Sequence, residues 1–238
     1  MAKSATLLIV VTGEPTEDVA AHDGEFPSII ARALGDHWRG GFRTVDARRE
    51  DLALAAMGAD AMVITGSAAH VHQREPWVLR TEAWLRAEVP KQRPILGLCF
   101  GHQLLASALG GEVRTNPAGR EMGTVGLERL GEDPIFAGIS HQFRANTCHL
   151  DTVTVPPPGA VVLARSERDR HQCLRFAPRC YGVQFHPEFD GSVMRGYLRA
   201  RREALAAEGH DPDAMLREAA DTPNAARLLA NFALSIVA

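Results

Sequence analysis

The apolar positions of this chain fall into two rhythms. Short runs rich in β-branched and aliphatic residues occur at 6–11, 42–45, 61–65 and 94–99, and continuous runs of this length suit strands buried on both faces of a parallel sheet. Between them, 26–34 and 77–89 carry apolar residues at helical spacing, with Pro76 suited to a first helical position, where its missing N–H costs nothing. The alternation β-α-β-α predicts a parallel α/β sheet. After Gly111 the rhythm changes to successive strand-like runs at 121–130, 142–147, 160–164 and 180–185, which predict antiparallel or mixed additions to that sheet. Pro156-Pro157-Pro158-Gly159 cannot lie inside a helix or a central strand and is read as a surface loop.

From Ser192 onward alanine, leucine and arginine dominate, and three helical stretches are predicted at 192–207, 212–220 and 223–237. The last puts Ala226, Leu229, Ala230 and Ala233 on one face, so it is expected to dock on the core. The predicted organisation is one α/β domain over 1–205 followed by a helical extension, 206–238, packed against it. The stripe of Trp77, Trp84 and Leu85 is read as core.

Composition narrows the class of partner. With 238 residues, 45% of them hydrophobic, the chain can bury a core large enough to fold without staples. Its four cysteines, Cys99, Cys148, Cys173 and Cys180, form no C-x-x-C pair and are expected to be free thiols in a reducing cytosol. A net charge of −3 without a block of one sign gives no long-range attraction to nucleic acid or anionic membrane. No stretch reaches the roughly 18 apolar residues of a membrane helix. A cytoplasmic protein whose partner is a small molecule or another protein is therefore expected. His70 and His72 resemble half of a metal site, but no Cys or acid pair nearby in the sequence completes one, so neither metal nor cofactor is expected.

The candidate chemistry lies in Pro94-Ile95-Leu96-Gly97-Leu98-Cys99-Phe100-Gly101-His102-Gln103. A strand ends at Cys99 and a helix begins at once, with Gly97 and Gly101 flanking the cysteine as in a nucleophile elbow. A side chain on so tight a turn projects into open space, and a helix N-terminus favours thiolate over thiol. Cys99 is thus expected to be nucleophilic at neutral pH, although the elbow alone does not separate it from a buried cysteine beside two packing glycines. A second element, Tyr181-Gly182-Val183-Gln184-Phe185-His186-Pro187-Glu188-Phe189, separates them. Pro187 holds His186 extended, and in an extended segment His186 and Glu188 point the same way. The carboxylate can then fix the imidazole tautomer for work on the thiol.

These two elements, in this order, resemble the class I (triad) glutamine amidotransferases, over roughly residues 5–205. The resemblance implies a flavodoxin-like α/β fold with a mostly parallel central sheet. It also implies glutaminase chemistry through a glutamyl-thioester, with Cys99 as nucleophile, His186 moving the proton and Glu188 orienting His186. Val63-Ile64-Thr65-Gly66-Ser67-Ala68 stands where the family carries a Gly-Gly-Pro loop, so Ser67 or Gly66, together with Phe100, would supply the oxyanion-hole N–H groups. Gln103 would bind the amino-acid head of the substrate. Thr147-Cys148-His149-Leu150-Asp151 resembles the family's S-H-x-D segment, which would give His149 and Asp151 a part in holding glutamine; taken locally, both are turn residues. The Arg120-Glu121-Met122-Gly123 stretch also resembles the family but receives no catalytic role. The implied partners are glutamine, with a separate synthetase subunit to use the ammonia, or a γ-glutamyl compound hydrolysed without a partner. A non-catalytic regulatory module that keeps the fold is the third alternative, opposed by the complete Cys99, His186 and Glu188 set.

Overall fold

The computed structural model describes residues 5–237. The first strands, β1 (Thr6–Val11), β2 (Gly41–Asp46), β3 (Ala61–Ile64) and β4 (Ile95–Leu98), lie where the apolar runs predict them. With β11 (Cys180–Val183) they form the parallel half of a mixed sheet, ordered β2-β1-β3-β4-β11. This is the flavodoxin-like order, 2-1-3-4-5. The sheet continues antiparallel through β10 (Cys173–Ala177), β9 (Val161–Ser166), β6 (Glu121–Arg129) and β7 (Gln142–His149).

Burial on both faces explains the unbroken apolar runs. In β1, Leu7 and Ile9 pack with Ile30 and Leu34 of α2 (Phe26–Leu34), while Leu8 and Val10 face Val78 and Leu85 of α4 (Pro76–Glu88) and Leu104 of α5 (Phe100–Ala108). The first of these layers also takes Leu228, Leu229 and Phe232 from α9 (Pro223–Val237), all within 1% of full burial. At about 1.5–3 kcal/mol for each large apolar side chain buried, that face holds the last helix on the sheet. Of the four residues expected on it, Leu229, Ala230 and Ala233 are buried and Ala226 is half-buried. Trp77 and Leu85 belong to the core and Trp84 packs against it.

Other elements depart from the sequence reading. The stretch 192–207 is broken at Arg201 into α6 (Gly191–Ala200) and α7 (Arg202–Ala207), and α8 (Pro212–Glu218) is shorter than expected. Two helices, α1 (Glu17–Asp23) and α3 (Leu52–Ala55), and strand β10 are too short to show a period in the sequence. Strand β5 (Glu112–Thr115) buries only Val113 and pairs with β8 (Asp151–Val155) in a separate two-stranded ribbon. His149 and Asp151, turn residues by local reading, are the last residue of β7 and the first of β8. The 156–159 loop joins β8 to β9, with Gly159 at φ 81°. Among the described residues no helix is long and apolar enough to cross a membrane.

Candidate active site

Three parallel strands deliver the predicted chemistry to one edge of the sheet. Gly66 follows β3, Cys99 follows β4 and His186 follows β11, all at carboxyl ends, where open α/β sheets bind ligands. Together they line a cavity of about 430 Å³.

The elbow at Cys99 is strained and tightly packed. Cys99 has φ 49° and ψ −100° and is the N-cap of α5, with its N–H donated to the Val183 carbonyl at 2.8 Å. A left-handed φ is uncommon in a non-glycine residue and persists only where the surroundings enforce it. The flanking glycines show the enforcement. A Cβ on Gly97 would come within 2.5 Å of the Gly101 backbone, and one on Gly101 within 2.6 Å of the Ile64 carbonyl.

Cys99 is 6% exposed. Burial, reinforced by the nearby Cys148 and the Glu188 charge, pushes its thiol well above the usual range, while the Phe100 N–H pulls the other way. Desolvation thus works against the thiolate that the helix N-terminus favours. Among the described residues its hydrogen bonds involve the Cys148 carbonyl, 3.8 Å away, and the Gln184 amide, which donates to the sulfur at 3.4 Å. The His186 ring is not among these partners.

His186 is fixed on three sides. Its Nδ1 lies 2.8 Å from Glu188 Oε1, its backbone N–H donates to the Asn146 carbonyl at 2.8 Å, and its ring stacks on Phe189 at 3.9 Å and 8°. Phe189 in turn stacks on Tyr197 of α6. The Glu188 carboxylate is buried, and its Oε2 has no hydrogen-bond partner. Gly66 leaves the space between the two reacting groups open, since a Cβ there would lie 3.1 Å from His186 Cε1 and 3.8 Å from Cys99 Cβ.

The loop after β3 is tied down by a residue that the sequence reading did not single out. Thr12, fully buried at the end of β1, donates its hydroxyl to the Thr65 and Gly66 carbonyls at 2.9 and 3.0 Å, and its N–H donates to Thr65 Oγ1 at 3.0 Å. Ser67 Oγ accepts the Ala69 N–H at 3.1 Å, and Gly13 sits so close that a Cβ there would meet Ser67 Cα at 2.9 Å. Gly66, Ser67 and Phe100 all line the cavity.

The three residues expected to hold substrate fall into one polar network. Gln103 donates its amide to the Asp151 carbonyl and to Gln184 Oε1, both at 3.0 Å. His149 is buried, with Nδ1 2.9 Å from the Asp151 carbonyl and Nε2 3.1 Å from Glu121 Oε2. Burial alone would lower its pKa, but the Glu121 hydrogen bond and the Asp169 and Glu121 charges outweigh burial and raise it. The Asp151 carboxylate is occupied by His70 Nδ1 at 2.7 Å and Thr115 Oγ1 at 3.2 Å. His149 and Asp151 thus stand in the cavity wall, with their side chains engaged in it. Gln184 was legible in principle, because it precedes His186 by two in the same extended segment and so points the same way. Arg120, tied to Glu208 at 2.9 Å, and Arg201 add positive charge to the cavity.

Comparison with known proteins places this geometry. Over 109 residues the chain is 44% identical to one subunit of the glutamine-hydrolysing GMP synthase of Ignicoccus hospitalis, covering 45% of this chain and 55% of that protein. Over 152 residues it is 36% identical to the glutamine-hydrolysing GMP synthase of Thermomicrobium roseum, covering 61% of this chain and 27% of that one. The chain thus spans about half the length, or less, of these relatives. The solved glutamine amidotransferase of Thermotoga maritima shares the fold over 98% of both chains, with a TM-score of 0.75 at 22% identity. That of Methylobacillus flagellatus gives 0.74 at 23%, over 99% of this chain and 94% of its own. The family model "Glutamine amidotransferase class-I" matches residues 41–202, more than half of the sequence, and the chain belongs to the class I glutamine amidotransferase family.

Proposed function

We propose that the protein hydrolyses the side-chain amide of glutamine through a thioester on Cys99. The observation that carries this reading is the convergence, at three strand ends, of a strained cysteine elbow, a histidine locked by a buried carboxylate, and a tethered glycine loop. Because burial raises the thiol's pKa, a base that takes its proton as it attacks serves the reaction, and His186 is the base at hand. Substrate-free enzymes often form such catalytic hydrogen bonds only on substrate binding, consistent with a thiol that rests on the Cys148 carbonyl and Gln184. The sulfur attacks the amide carbon, and the developing oxyanion is met by the Phe100 N–H and that of Gly66 or Ser67. His186 returns the proton to the leaving nitrogen, and ammonia departs. A water molecule, deprotonated by His186, then cleaves the thioester to give glutamate and the free thiol. Glu188 holds the ring and stabilises its charged form, and Gln103 with the His149 and Asp151 wall receives the amino-acid head.

Residues 1–205 would form the catalytic domain and 206–238 the docked extension, a division supported by the family match ending at residue 202. Relatives named as one subunit of a glutamine-hydrolysing GMP synthase favour a separate synthetase subunit that consumes the ammonia. A second reading, a γ-glutamyl hydrolase that needs no partner, is favoured by one observation: Thr12 ties the Gly66 carbonyl within this chain alone. Incubation with glutamine and with a panel of γ-glutamyl peptides distinguishes the two. Glutamate and ammonia from glutamine support the amidotransferase reading, free amine from the peptides supports the hydrolase, and release of neither product refutes both.

A further inference from the structure

We propose that His70, His72 and Asp151 bind one divalent transition-metal ion of the zinc class in the wall of the cleft. His70 and His72 flank Val71 at the start of a single 3-10 turn, and the fold brings to them Asp151, the first residue of β8, 81 positions from His70. This supplies the acid that the sequence around the histidines lacks. Both ring nitrogens converge on one carboxylate oxygen. His70 Nδ1 lies 2.7 Å and His72 Nδ1 3.1 Å from Asp151 Oδ2, and the three ligand atoms fall within 4.8 Å of one another.

The pairing with His72 is not an ordinary hydrogen bond. Although 3.1 Å from Oδ2, His72 Nδ1 is out of bonding geometry and is a buried atom without a hydrogen-bond partner. A neutral imidazole would turn either a lone pair towards an anion or a misdirected N–H, and both leave a polar atom unsatisfied. An ion between the three atoms would satisfy all of them at once. Tetrahedral zinc, with bonds of about 2.0–2.1 Å, sets its ligand atoms about 3.3 Å apart, so His70 must retreat from the oxygen by about 0.6 Å and His72 by about 0.2 Å. The rings, 5.2 Å apart and inclined at 48°, do not block one another. Imidazole nitrogen with one carboxylate suits zinc, cobalt, nickel or copper and not magnesium or calcium. The second oxygen, Oδ1, accepts the Thr115 hydroxyl at 3.2 Å, the kind of outer hydrogen bond that orients a ligating carboxylate. Three protein ligands leave further coordination positions open, and His70 and Asp151 line the same cavity as Cys99.

The test uses the full chain as Cys99→Ala, so that the cleft thiol cannot hold metal. Zinc competition against a chromogenic chelator should give one bound equivalent, and cobalt should give the visible absorption of a four-coordinate ion. Adding His72→Ala or His72→Gln, whose parent side chain is half-buried, should weaken binding at least tenfold with the melting temperature unchanged. Asp151→Asn should weaken it similarly. Absence of stoichiometric binding to the Cys99→Ala protein overturns the proposal, as does equal affinity with and without His72.

Discussion

Substitution of Gly66 by alanine adds one methyl group between the two reacting side chains and leaves every N–H in place. Its Cβ would lie 3.1 Å from His186 Cε1, against a comfortable carbon–carbon contact of about 3.6 Å, a shortfall of about 0.5 Å. The ring has little room to retreat, since Glu188 holds Nδ1, Asn146 holds the backbone and Phe189 stacks on its face. A misplacement of about 1 Å in a reacting group costs about a hundredfold, so half of that predicts roughly a tenfold loss of kcat/KM, about 1.4 kcal/mol. The backbone contributes no penalty, because Gly66 is not among the residues with positive φ. Ammonia release from glutamine, measured on the parent and on Gly66→Ala beside thermal melts of both, should show the tenfold loss at an unchanged melting temperature. Full activity in Gly66→Ala would refute the placement of His186 against Cys99, and a loss matched by a lower folded fraction would refute the steric explanation.

Replacing Glu188 by Gln keeps an acceptor for His186 Nδ1 but removes the charge, whereas His186→Ala removes the base itself. Glutaminase assays should therefore show a loss of about a hundredfold for the former and about ten-thousandfold for the latter, and equal losses would argue against an orienting role for Glu188. His102 is buried, and burial lowers its pKa to about 4 from an ordinary 6.5. Between these values the unfolded chain holds the extra proton, so stability falls as pH drops through the window, by about 2 kcal/mol between pH 7 and pH 5. Urea unfolding at both pH values should show this loss in the parent and a smaller one in His102→Gln; an equal loss in both would assign the acid sensitivity elsewhere.

What the sequence disclosed follows from how far each signal extends along the chain. The strands buried on both faces, β1, β3 and β4, announce themselves because nearly every residue is apolar, and α2 because its apolar residues recur on one face. Strands β5 and β10 do not, since four or five residues with one or two buried side chains carry no periodic pattern. The elbow and the His-Pro-Glu segment were legible because local backbone rules decide where their side chains point. Thr12 was invisible, since its role depends on β1 and β3 being neighbours and nothing in the sequence around it records the loop it holds. Asp151 and His70 illustrate the same limit, as their contact spans 81 residues and depends on the position of the β5-β8 ribbon. The upward push on the Cys99 thiol was not legible, because the helix N-terminus is a local feature, whereas desolvation depends on the whole wall of the cleft and is reinforced by Cys148 and Glu188.

The central claim is that Cys99 forms the covalent intermediate, and the most direct measurement is mass spectrometry of the protein after treatment with an electrophilic glutamine analogue. Cys148 is the informative competitor, because it lines the same cavity, although burial pushes its thiol up to about 11. A single adduct on the peptide containing Cys99, formed in step with loss of glutaminase activity and absent from Cys99→Ala, is the predicted result. An adduct on Cys148, or ammonia release that persists in Cys99→Ala, would contradict it.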